Sequence, residues 1–144
     1  MSTLYAESSA ILRWLLGTED APTLQSVLIG AGLVVTSVLT STEVARTLRR
    51  LVATGAIESQ AGNRSWDRYA TASAHWNLYA LTDPVLERAS QAFPREPVRT
   101  LDAIHLATAA LIAFQVSPPV VLSVDRHIRI NAGALGLDVL PADR

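Results

Sequence analysis

Four acidic residues, Glu7, Glu43, Asp102 and Asp125, stand where an α/β chain would bring carboxylates to a common edge. Glu7 follows a short apolar run, residues 3–6, and Asp125 follows another, residues 120–124. Glu43 comes just after Ser41 and Thr42 at the expected opening of a helix, and Asp102 lies two residues after Thr100 in the first turn of another. Taken alone, Asp102 has an ordinary explanation: a carboxylate there complements the positive end of the helix dipole. Four carboxylates converging within a few ångströms would repel one another, and a cation would let them stay ionised. Hard oxygen donors select Mg²⁺ or Mn²⁺ over a soft metal. Such an ion lowers the pKa of an attacking water and stabilises a leaving oxygen, which suits phosphodiester hydrolysis. Two carboxylates would also serve a glycosidase, but no aromatic sugar platform accompanies them.

The elements that must position these acids follow from periodicity and punctuation. Strands are expected over residues 3–6, 33–36, 77–81, 120–124 and 138–140. Helices are expected between them: 10–16, capped by Ser8 or Ser9 and stopped at Gly17; 23–29, opened by Pro22; 43–53, broken by Gly55; and 58–76, which pairs with 43–53 as a helical hairpin. Further helices run from Asp83-Pro84 to Phe93, from a Thr100 cap to Pro118, and over 126–135 to Gly136. The Thr100 helix should pack through Leu101, Ile104, Leu106, Leu111 and Ile112. Alternation of strands and helices predicts an α/β fold with a mostly parallel sheet, whose sites form beyond the carboxyl ends of the strands.

Composition narrows the partners. The 144 residues fit one domain, residues 1–144, and an apolar share of 49% supports a substantial core. A net charge of −1 provides no global attraction to nucleic acid or membrane, so any basic surface is local. All twelve basic residues are arginine. Cysteine is absent, which excludes disulfides, thiolate zinc sites and cysteine nucleophiles. Glu7 and Arg13 interrupt the N-terminal apolar run and residues 27–42 fall short of a membrane span, so a cytoplasmic protein with no membrane partner is the expectation.

Four segments in this order resemble the PIN-domain family and, within it, the VapC toxins of VapBC toxin–antitoxin pairs. They are Tyr5-Ala-Glu-Ser-Ser-Ala-Ile-Leu12, Thr40-Ser-Thr-Glu43-Val, Leu101-Asp-Ala-Ile-His-Leu-Ala107, and Leu122-Ser-Val-Asp-Arg126 with Ala132-Gly-Ala-Leu-Gly-Leu137. The resemblance implies a three-layer sandwich of helices around a five-stranded sheet and a Mg²⁺- or Mn²⁺-dependent endoribonuclease. It carries the family's acid quartet onto Glu7, Glu43, Asp102 and Asp125 as metal ligands, with Ser9 and Ser123 supporting them. It also implies a homodimer and a VapB-like antitoxin that threads the cleft. The first acid of the family is ordinarily Asp, whereas Glu7 reaches one methylene further, and Mg²⁺ demands near-ideal geometry.

The remaining polar residues have two readings each. His105, three residues after Asp102, fits a hydrogen-bonded structural role better than a ligand or base, and His75 and His127 have weaker claims. Arg13, Arg46, Arg49, Arg50, Arg95, Arg99 and Arg126 either hold RNA phosphates near the rim or form a solvated surface. Trp14, Trp66 and Trp76 suit helix packing or a dimer interface. An alternative to the nuclease is a catalytically weak or inactive PIN domain that binds RNA or antitoxin, and Glu7 is the feature favouring it. A Mg²⁺-dependent phosphatase would want an Asp nucleophile after the first strand, where this chain has Ala6-Glu7.

Overall fold

The computed structural model describes residues 2–142. Five short strands, β1 (Thr3–Ala6), β2 (Leu33–Ser37), β3 (Asn77–Tyr79), β4 (Val120–Leu122) and β5 (Val139–Leu140), form one sheet in the order β3-β2-β1-β4-β5. Every pairing is parallel, not merely most of them. Seven helices complete the described residues: α1 (Ser8–Leu16), α2 (Ala21–Gly30), α3 (Val38–Ala53), α4 (Ser59–Ser73), α5 (Asp83–Ala89), α6 (Thr100–Gln115) and α7 (Arg126–Ala134).

A parallel sheet must be covered on both faces, and side chains alternate between those faces along each strand. Tyr5, Val35 and Val121 join a core with Val85, Leu106, Ile112 and Ile128, contributed by α5, α6 and α7. Leu4, Ala6, Val34 and Leu122 join a second core with Ile11, Leu24, Val44 and Tyr69, contributed by α1 to α4. The result is the three-layer sandwich, with β1 at its centre. The α3–α4 hairpin forms as expected, and a Cβ on Gly62 would stand 2.8 Å from Val52 Cγ2, so the two helices meet closely there.

Several boundaries differ from the sequence reading, each for a local reason. Helix α3 starts five residues early, because Ser37 Oγ accepts from the Leu39 N–H (3.1 Å) and caps it directly at the end of β2. Glu43 therefore occupies the second turn rather than the first. Glu7, not Ser8 or Ser9, caps α1, and Arg99 occupies the cap position of α6 without a side-chain bond while Thr100 is helical. Helix α5 ends at Ala89: Ser90 Oγ donates to the Leu86 carbonyl and Glu96 captures the Phe93 N–H, turning the chain into the proline loop. Strands β3 and β4 end at Tyr79 and Leu122, and α4 ends at Ser73. In α6 the whole run from Ala103 to Ala109 is buried, while Leu101, expected on its apolar face, is exposed. Such a helix is enclosed on most sides rather than striped.

One hydroxyl ties the sheet edge together. Thr36 Oγ1, fully buried, donates to the Ala6 carbonyl (2.6 Å) and lies 2.7 Å from Thr40 Oγ1 in the first turn of α3. It links the elements that deliver Glu7 and Glu43. Thr36→Val keeps the shape but leaves buried polar atoms unpaired, so urea unfolding should show a loss of about 1–3 kcal/mol.

Candidate active site

The four acids lie at the carboxyl edge of the sheet or in the helix turns that rise from it. Glu7 follows β1, and its N–H extends the ladder to the Leu122 carbonyl (2.9 Å). Its side chain turns back over α1 and is only 3% exposed. Oε2 accepts from Ser8 Oγ and from the Ser9 N–H, both at 2.8 Å. Oε1 accepts from Ser9 Oγ (2.5 Å) and Ser123 Oγ (2.6 Å). The two supporting serines expected from the sequence therefore both meet Glu7, and Ser8 joins them.

Those hydroxyls also accept. Ser9 Oγ takes the Val124 N–H and Ser123 Oγ takes the Asp125 N–H, each at 3.1 Å. Asp125 in turn caps α7 through Oδ1, which accepts from the Ile128 N–H (3.0 Å). The turn between β4 and α7 is thus tied to the start of α1 through one carboxylate.

Glu43 reaches across to α6. Its Oε1 lies 2.5 Å from His105 Nε2, and His105 Nδ1 lies 2.8 Å from the Tyr5 hydroxyl. His105 is 1% exposed and Tyr5 equally buried, so a chain of hydrogen bonds runs from β1 through α6 to α3. Burial pulls the His105 pKa down, but the bond to Glu43 and the charges of Glu7, Glu43 and Asp102 outweigh it and hold it above 6.5. Burial, with Glu7 adding to it, keeps the Tyr5 hydroxyl a proton donor well above its usual range. The structural role expected for His105 is the one observed. Tyr5 was not singled out from the sequence, and its place two residues before Glu7 was the available signal.

Asp102 and Asp125 are partly exposed. Burial raises the Asp102 carboxyl above 3.8, and Asp125, Glu7 and Glu43 push it further the same way while His105 opposes them. All three other acids therefore act on Asp102, with Asp125 the strongest of the charges. Among the described residues, no three or more carboxylates and imidazoles are close enough to share an ion. The acids face one another electrostatically without closing on one point.

The arginines divide. Arg99 precedes α6 and Arg126 opens α7 beside Asp125; both are exposed, as is Arg46 one turn after Glu43, and none makes an ion pair among the described residues. Arg13 lies in the last turn of α1, away from Glu7, and pairs with Asp20 (3.3 Å). Arg49 lines a cavity of about 410 Å³ between α3 and α4 with Leu48, Val52, Gly62 and Trp66, and Arg50 is exposed on α3. Arg95 is clamped through its backbone by the Asn131 amide. His75 and His127 are exposed. Trp14 is buried beneath the Arg68 guanidinium, while exposed Trp66 lies tilted against Tyr69 and Trp76 meets Tyr69 edge-on.

A parallel sheet with an acidic carboxyl edge and this strand order matches a known class. The PIN domain model matches residues 4–134, and the chain belongs to the PIN-domain family. Within that family it is of the VapC type. Ribonuclease VapC46 of Mycobacterium tuberculosis (strain ATCC 25618 / H37Rv) is 32% identical to it over 140 residues, spanning 97% of this chain and 98% of the relative.

The raised Asp102 pKa fixes a direction for pH. The folded state holds this proton more tightly than the unfolded chain, so metal-free protein loses stability as pH rises from about 3.8 through the folded-state value, and the loss persists at neutrality. In chelator at pH 7, Asp102→Asn should therefore melt higher than the native chain. Below pH 3.8 that advantage should vanish.

Proposed function

We propose that this protein is the toxin of a type II toxin–antitoxin pair, a Mg²⁺- or Mn²⁺-dependent endoribonuclease that hydrolyses RNA phosphodiester bonds. The carrying observation is the VapC-type fold with its acids at the carboxyl edge of the sheet, where burial first and then the charges of Asp125, Glu7 and Glu43 hold the Asp102 carboxyl above its ordinary value. Mg²⁺ keeps several waters and commonly takes one or two protein carboxylates, so a pair suffices where three do not converge. Asp102 and Asp125 would hold the ion, and Glu43, one oxygen of which is engaged by His105, would complete the negative wall. The ion supplies activation of water and stabilisation of the leaving oxygen.

The chain's own residues do the rest. Arg99 and Arg126 flank the acids in sequence and offer guanidinium groups to the RNA backbone, positioning it without reading bases. Arg46 extends that surface along α3. A VapB-like antitoxin is the proposed inhibitory partner, a homodimer the proposed assembly, and the cytoplasm the proposed compartment. No helix among the described residues is long and apolar enough to cross a membrane.

The saturated carboxylate of Glu7 favours a second reading, a weak or inactive PIN domain that binds RNA or antitoxin. Cleavage of a structured RNA pool separates the two. Antitoxin-free protein should cut at discrete sites with Mg²⁺ or Mn²⁺, stop in chelator, and lose at least about 100-fold in rate as Asp102→Asn, equivalent to ~3 kcal/mol of transition-state stabilisation. Folded protein that cuts with neither metal would overturn the nuclease reading and favour the binding module.

A further inference from the structure

A carboxylate has two oxygens and about four lone-pair directions. At Glu7 four donors meet them: Ser8 Oγ and the Ser9 N–H on Oε2, Ser9 Oγ and Ser123 Oγ on Oε1. The proton count is consistent. Each serine hydroxyl spends its one proton on Glu7, and the lone pairs of Ser9 and Ser123 accept the backbone N–H groups of Val124 and Asp125. Ser9 Oγ and Ser123 Oγ, 3.3 Å apart, are then neighbours on one oxygen rather than partners of each other. With 3% exposure, Glu7 has no oxygen direction left for a metal ion.

We infer that Glu7 is a positioning residue: its carboxylate closes a serine cage that anchors the turn carrying Asp125, and it does not ligate the metal. The Glu7 side chain folds back to meet α1 and Ser123 together. Asp125 receives its backbone tether from Ser123, and Ser123 is oriented by Glu7. The departure from the family's usual Asp thus exchanges a ligand for an anchor. This rests on the metal-dependent reading above only in naming the ion that Glu7 does not touch; the anchor itself is independent of it.

The test uses the full chain, stripped of metal, with Mn²⁺ as the probe. Ser123→Ala removes one donor and the Asp125 tether. The anchor predicts a melting temperature lower by about 3–6 °C without metal and Mn²⁺ affinity weaker by about tenfold, as for other groups that orient a ligand. Unchanged or tighter Mn²⁺ binding by Ser123→Ala overturns the proposal, and whether Glu7 itself ligates is read from the next variant. Glu7→Gln supplies a second arm. Water-proton relaxation by bound Mn²⁺ should match the native protein per ion while the metal-free melting temperature falls. Relaxation raised by one extra coordinated water, with melting unchanged, would overturn it. If the native chain bound no Mn²⁺ at all, the metal reading would fail separately, and unchanged melting of Glu7→Gln would still sink the anchor.

Discussion

A carboxylate removed from water is tolerable only when every lone pair is met, and the site is organised around one that is. The last three residues of the central strand and its extension each lock a different part of the molecule. The hydroxyl of Tyr5 reaches His105 and through it Glu43; the carbonyl of Ala6 takes Thr36 and through it the start of α3; Glu7 takes α1 and the β4–α7 turn. Buried networks of this kind are costly when partly satisfied and rigid when complete. Here the rigidity is placed where β1 and β2 meet α1, α3, α6 and the β4–α7 turn.

The same edge gathers four helix beginnings. Glu7 caps α1, Ser37 caps α3, Asp125 caps α7, and Asp102 sits in the first turn of α6. Their positive dipole ends each favour a nearby carboxylate by about 0.3–1 kcal/mol when exposed. That helps the fold carry its acids, yet Asp102 remains a reluctant anion. Burial and then the neighbouring charge of Asp125 keep it so, and perturbed groups of this kind cluster where function rather than stability sets the residue.

Much of this was readable in the chain. Strand–helix alternation specified a parallel sheet, and the acids after residues 3–6 and 120–124 marked its carboxyl edge, because parallel topology leaves few other places for them. What escaped was set by side-chain competition. Nothing in the local sequence singles out Glu7 over Ser8 or Ser9 as the cap of α1, and its further bond to Ser123 spans 116 residues. The early start of α3 depends on Ser37, which reads equally well as the end of a strand. Leu101 reads as core because its spacing is right, and only the position of α6 between the sheet and its neighbouring helices exposes it. The bond between Glu43 and His105 spans 62 residues and left no periodic trace.

The all-arginine character of the chain has a consequence at the rim. Guanidinium groups do not deprotonate in proteins, so Arg46, Arg99 and Arg126 contribute a constant positive potential throughout the range a cell experiences. Any change in the local field with acidity is therefore carried by the carboxylates and by His105, exposed His127 aside. The arginine charge is a fixed instrument, and tuning is left to the carboxylates and His105.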